Sequence, residues 1–181
     1  MFDCSRIKIY LRNIFTMKKY LLFALAAGIL ITLSCNKGGS NPTNTTTCSY
    51  DACQLKAPDS EIVRLEKYLA ENSITAVKHC SGLYYMIVTP GTGNSPTFCS
   101  DVSVNYVGSY TNGNVFQRSS TPATFNLLGV ISGWTKGVPL VKKGGKIKLY
   151  LPPSLAYGPN QYQTIPGNSI LIFDIDLLDY R

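Results

Sequence analysis

The chain has 181 residues, 45% hydrophobic and only 15% charged, a balance that excludes a disordered polymer and allows one ordinary domain with appendages. Its formal net charge of +7 is unevenly spread: five of the 17 basic residues (Arg6, Lys8, Arg12, Lys18, Lys19) and one of the 10 acids (Asp3) precede Cys35. The remainder is too evenly balanced to argue for nucleic acid as a partner.

In chain order, Met17-Lys18-Lys19 is a basic start, followed by an almost unbroken apolar run at 21–33. A membrane-crossing helix needs about 20 residues, so residues 17–34 read as an export signal. The run ends at Thr32-Leu33-Ser34-Cys35-Asn36, which resembles a bacterial lipobox, although Thr32 stands where Leu is usual. That resemblance implies lipidation of Cys35, a lipid bilayer as partner, and residence in the bacterial cell envelope, on the outer membrane facing the periplasm. Residues 1–16 precede a better start at Met17 and read as an upstream over-extension. Residues 36–47 contain only Asn, Lys, Gly, Ser, Pro and Thr. They can bury nothing, so 35–58 reads as a lipidated cysteine and flexible tether.

Setting aside Cys4 and Cys35, an even set remains: Cys48, Cys53, Cys80 and Cys99. In an exported chain these imply two disulfides. Three pairings are open; Cys48–Cys53 with Cys80–Cys99 is the expectation, a small local loop plus a bridge flanking the first predicted strand. A metal site is not expected, because His79 is the one histidine and no C-x-x-C occurs.

Asp59-Ser60-Glu61 reads as the cap of a helix reaching about Asn72. Ile62, Leu65 and Leu69 form its apolar stripe, with Tyr68 at the side, which predicts packing on the main domain within an N-terminal unit at 59–81. From Gly82 the pattern turns to strands. One covers 83–88 and ends at the turn Thr89-Pro90-Gly91-Thr92-Gly93. A second, 101–110, alternates, with Val102, Val104 and Tyr106 on one face. Asn112-Gly113 signals a hairpin. Short pieces at 115–116 and 124–127 are split by a Ser/Thr/Pro stretch. A short helix is expected over 132–140 and further strands at 147–151 and 170–178. The class is α+β: an antiparallel sheet of about five strands wrapped around one short helix, with an extra N-terminal helix.

Familiar catalytic signatures are missing. Gly144-Gly145-Lys146-Ile147 lacks the hydroxyl residue of a phosphate-binding loop. His79 and Cys80 are sequence neighbours, expected to point apart in an extended segment, and no G-x-S-x-G elbow exists. What does stand out is a run of motifs over residues 82–180: Pro90-Gly91-Thr92-Gly93, Val104-Asn105-Tyr106-Val107-Gly108, Gly113-Asn114-Val115-Phe116, Val130-Ile131-Ser132-Gly133-Trp134, Ala156-Tyr157-Gly158, and Ile165-Pro166 leading to Leu171-Ile172-Phe173-Asp174. In order and spacing they resemble the FKBP-type peptidyl-prolyl isomerase family, with 82–181 as its domain.

The resemblance implies that Tyr106, Phe116, Trp134 and Phe173 wall an aromatic cup lined also by Val130 and Ile131. The Ile131 N–H and the Tyr157 hydroxyl would meet substrate carbonyls, and Ile165 would lie on a loop over the rim. It implies a monomer that acts on proline-containing polypeptides and needs no cofactor. Three departures stand out: Gln117 replaces an acid, Ala123 replaces a rim aromatic, and the loop over 127–130 is short. Phe125, Tyr84 and Tyr150 are expected in the core. The departures predict reduced isomerase activity and weak macrolide binding. The alternative is a chaperone-like binding module with little turnover.

Overall fold

The structure is a computed structural model that describes residues 48–181. The export signal, Cys35, the upstream over-extension and most of the tether lie outside the described residues.

Among the described residues seven strands, rather than about five, form one antiparallel sheet. They are β1 (Val77–Lys78), β2 (Tyr84–Thr89), β3 (Asp101–Tyr110), β4 (Val115–Arg118), β5 (Ala123–Asn126), β6 (Lys146–Leu151) and β7 (Leu171–Tyr180), in spatial order β1-β2-β6-β7-β3-β4 with β5 also on β3. The surplus is physical. β1 has two residues, too few for an alternation to register, and β4 and β5 are one edge strand interrupted at residues 119–122. β3 and β7 pair from Val102–Tyr180 to Tyr110–Leu171 and form the spine. Their inward residues Val102, Val104, Ile175 and Leu177 are fully buried.

The sheet packs on helix α2 (Ser132–Gly137). Two glycines one turn apart make this contact possible. A Cβ added at Gly133 would come within 2.5 Å of Leu151, and one at Gly137 within 2.6 Å of Leu149. The helix therefore lies flush on β6 and sets Trp134 at a fixed depth. The expected helix over 132–140 is shorter, because Val138–Leu140 is a 3-10 turn containing Pro139, which has no N–H for the α-helical ladder.

Helix α1 (Asp59–Glu71) buries Ile62, Leu65 and Leu69 in the same core as the sheet. The expected side-chain cap is absent. Pro58 occupies the N-cap position, Asp59 and Ser60 are already helical, and the Glu61 carboxylate instead accepts the backbone N–H of Ser154, 2.8 Å away. Glu66 ties α1 to the sheet by accepting from the Tyr84 hydroxyl and, at 2.7 Å, from Lys78 Nζ. The Lys78 hydrogen bond, foremost, and that of Tyr84 hold the Glu66 carboxyl below the usual range.

The cysteine pairing differs from the expectation: Cys48 bonds Cys99 and Cys53 bonds Cys80. A turn at Asp51, whose carboxylate takes the Cys53 N–H at 2.8 Å, carries the chain away from Cys48. Tyr50 packs against Phe98 in a tilted pair at 4.7 Å, beside Cys99, while the Ala57 N–H donates to Ser81 O at 2.8 Å, beside Cys80. Each cysteine is thus drawn to a distant partner. Residues 48–57 become a strap across the domain, and beneath it lies Lys136, 1% exposed. Its ammonium donates to Ala52 O at 2.7 Å and sits 5.1 Å from the centre of the Tyr50 ring. His79 leads directly into a turn at Cys80–Ser81, its carbonyl accepting from Gly82 N–H at 2.9 Å and its Nδ1 2.9 Å from Ser81 Oγ, and Cys80 is committed to its disulfide.

Candidate active site

On the face of α2 that carries Trp134, the fold leaves a cavity of about 450 Å³ lined by Tyr106, Gln117, Phe125, Gly129, Val130, Ile131, Trp134, Tyr157, Tyr162 and Phe173. Its organising element is Trp134, 4% exposed. Tyr106 from β3, Phe125 from β5 and Phe173 from β7 stand edge-to-face around the indole, with centroids at 5.1, 5.6 and 5.4 Å and planes at 83–89°. That arrangement puts ring edges against ring faces, the electrostatically favoured one. The rings hold one another upright, so the cup is shaped before anything enters it. The indole N–H is buried with no hydrogen-bond partner among the described residues.

Two polar groups at the cup are also unspent. Ile131 precedes α2 in extended conformation, and its carbonyl accepts from Trp134 N–H at 2.9 Å, yet its own N–H has no partner among the described residues. The Tyr157 hydroxyl has none either. Burial above all, then the neighbouring phenols of Tyr162 and Tyr106, pushes the Tyr157 pKa up, so the hydroxyl remains a neutral donor at ordinary pH. Burial does the same to Tyr106.

Seven of the nine expected pocket residues meet at this cavity: Tyr106, Gln117, Val130, Ile131, Trp134, Tyr157 and Phe173. Phe116 and Ile165 do not line it. Phe116 stands behind the wall, edge-on to Phe173 at 5.7 Å and close to Tyr110 at 5.1 Å. Gly108 makes this possible, because a Cβ there would lie 2.6 Å from Phe116. Ile165, 6% exposed, turns inward and anchors its loop. Its N–H and carbonyl bond reciprocally with Tyr162, at 2.9 and 3.0 Å, and this hands the rim position to Tyr162.

Three lining residues escape the sequence reading. Phe125 is wall rather than core; in β5 it shares the inward side with Ala123, a phase that the alternation 123–126 already contains. Gly129 ends the 3-10 turn Leu127–Gly129, into which the short loop contracts with Asn126 Oδ1 capping Leu128 N–H at 3.0 Å. Tyr162 sits in an aperiodic loop, stacked on Tyr157 at 4.6 Å and 12°, and no local pattern announces it. Tyr84 and Tyr150 are buried as expected.

The same architecture occurs in a solved peptidyl-prolyl cis-trans isomerase from Pseudomonas syringae pv. tomato. The match has a TM-score of 0.60 and 30% identity, and takes in 69% of this chain and 97% of that one. The chain belongs to the FKBP-type peptidyl-prolyl cis-trans isomerase family. The family model of that description matches residues 93–178. Escherichia coli K12 FkpA, an FKBP-type isomerase by name, is 44% identical over 119 residues, 64% of this chain and 43% of that protein. The E. coli FkpA crystal structure aligns with a TM-score of 0.62 at 39% identity, over 68% of this chain and 60% of that chain. The chain thus spans less than half the length of the curated FkpA relatives it matches.

Proposed function

We propose that the protein is a peptidyl-prolyl cis-trans isomerase that acts on X–Pro bonds of exported polypeptides during their folding. One observation carries this reading: an apolar, preformed cup with two unspent donors, the Tyr157 hydroxyl and the Ile131 N–H, beside it. The reaction breaks no covalent bond and needs no nucleophile. Its barrier of roughly 18–20 kcal/mol comes from amide resonance, and uncatalysed exchange takes on the order of 10–100 s. A twisted amide has lost conjugation and is less dipolar than the planar form. Trp134, Tyr106 and Phe173 hold the prolyl ring away from water, which had stabilised the planar, polar state. Val130 and Phe125 complete the apolar wall. Tyr157 and Ile131 orient the flanking carbonyls. Gln117 offers an amide where its relatives' acid would stand, Phe116 supports Phe173 from behind, and Ile165 anchors the loop that brings Tyr162 to the rim. This is catalysis by preferential binding of the twisted state, and each tenfold in rate asks for about 1.4 kcal/mol.

In the same reading residues 17–34 direct export, Cys35 carries a lipid, 36–47 form the spacer, and the disulfide-held strap with 59–81 braces the isomerase domain of 82–181; the tether expected over 35–58 ends where Cys48 joins the domain. The protein works as a single chain on the outer membrane, facing the periplasm. The two disulfides support an oxidising compartment. A mature chain that begins elsewhere than at an acylated Cys35, by N-terminal mass spectrometry, removes the anchor from the proposal.

The decisive assay is protease-free cis-to-trans relaxation of a short X–Pro peptide with purified protein. Acceleration that disappears in Trp134→Ala is expected. Peptide binding without acceleration would make the protein a holding module instead.

A further inference from the structure

We infer that Glu61, on the accessory helix α1, is a positioning residue for the Tyr157 hydroxyl. This inference rests on the isomerase reading of the cup. Tyr157 follows a 3-10 turn, Pro153–Leu155, that has an unusual weakness at its start. Its N-cap is Pro152 and its first residue is Pro153, so neither carries an N–H, and Pro152 has no side chain with which to cap. The first backbone donor of the turn is Ser154, an orphan of the kind that begins every helix. Nothing local accepts it. The acceptor comes from 93 residues earlier: Glu61 Oε2 lies 2.8 Å from Ser154 N.

Glu61 itself is held. The next residue, Ile62, is 3% exposed and packs so closely on Gly82 that an added Cβ there would lie 2.7 Å away. α1 is further tied through Glu66 to Lys78 and Tyr84. Downstream, the turn is closed by Ala156 N–H and Gly158 N–H, both donating to Pro153 O at 2.9 and 2.8 Å, and Tyr157 is the residue between them. The bond to Ser154 therefore fixes the point from which the Tyr157 ring is projected. A hydroxyl that must meet a carbonyl in the twisted state gains from being aimed beforehand. Glu61 touches neither the cup nor anything in it, and acts through the turn alone.

The test uses the full protein. Glu61→Ala is expected to lower kcat about three- to tenfold with KM nearly unchanged, the effect of one lost charge-assisted hydrogen bond. Glu61→Gln keeps an acceptor at the same reach and recovers most of the rate. Glu61→Asp keeps the charge but loses a methylene of reach, and resembles Ala; rescue by Asp with none by Gln would assign the effect to charge and overturn the inference. In a Tyr157→Phe background Glu61→Ala should change kcat by less than about twofold, because coupled residues are non-additive. A full, additive loss there means that the bond is merely structural. Amide hydrogen exchange gives a readout independent of turnover: in Glu61→Ala the amides of Ser154, Ala156 and Gly158 should exchange about tenfold faster, while Leu65 and Leu69 hold. Unchanged exchange at Ser154 and Gly158 overturns the inference even if activity falls. If the wild-type protein accelerates no X–Pro peptide, the isomerase reading fails, and exchange still decides whether Glu61 orders the turn.

Discussion

The cup and the N-terminal layer treat polar groups in opposite ways. In that layer these polar groups are paired: Lys136 with Ala52 O, Glu66 with Lys78 and Tyr84, Glu61 with Ser154, and four cysteines with one another. Around the cup, Tyr157 O–H, Ile131 N–H and Trp134 Nε1–H are left without partners among the described residues. Of these, the indole N–H is the one side-chain donor fully buried, and leaving a buried donor unmatched costs about 1–3 kcal/mol. A domain of this size can carry such groups where they serve a ligand, provided the rest of the fold is well tied. The difference predicts that lesions in the layer lower stability and lesions at the cup lower turnover.

Trp134→Ala is the residue at which this separation should break, because Trp134 belongs to both the core and the cup. A loss of about 3–5 kcal/mol in denaturant unfolding is expected, together with abolition of peptide isomerisation; preserved turnover would relocate the site. The double replacement Cys53→Ser/Cys80→Ser comes next. It frees a loop of 27 residues and should lower stability by about 2–4 kcal/mol, with turnover at low temperature within about twofold of wild type. Tyr157→Phe should do the reverse. It lowers kcat/KM by about tenfold, or about 1.4 kcal/mol, and leaves the melting temperature within a degree or two.

Smaller effects come from pH. Burial, then the nearby Tyr68 and Asp174, pushes the Tyr150 phenol up to about 12. A group whose folded pKa is raised contributes stability that is whole below its unfolded value of about 10 and is lost as pH rises through the folded one. Alkaline unfolding by circular dichroism should therefore steepen between about pH 10 and 12, and Tyr150→Phe should flatten it. The smallest effect is at Glu66, whose lowered pKa has the opposite sign: its contribution is present above about pH 4.5 and fades in more acid solution. Glu66→Gln should blunt acid destabilisation slightly and leave turnover alone.

Periodic features were legible from the chain alone. β3 runs over 101–110 because Val102, Val104 and Tyr106 alternate with polar neighbours, and α1 follows from the stripe Ile62, Leu65, Leu69. The cup's main members were legible through motif spacing. The failures share a cause: each depends on which distant segments meet. The disulfides cross because Tyr50 seeks Phe98 and Ala57 seeks Ser81, contacts that proximity in sequence does not encode. Phe125 has the composition of core, and only the position of α2 turns it into a wall. Tyr162 and the Glu61–Ser154 bond lie in or between loops, where no repeat distinguishes a functional residue from a spacer.

Lys136 carries a consequence for the protein's own biogenesis. Its charged end is served by a main-chain oxygen in a ribbon that two cystines fasten to the body. Besides those cystines, only contacts such as Tyr50 on Phe98 and the Ala57 N–H to Ser81 O hold the ribbon over the ammonium. The finished seat of this ammonium thus depends on an oxidising compartment, where both cystines can form.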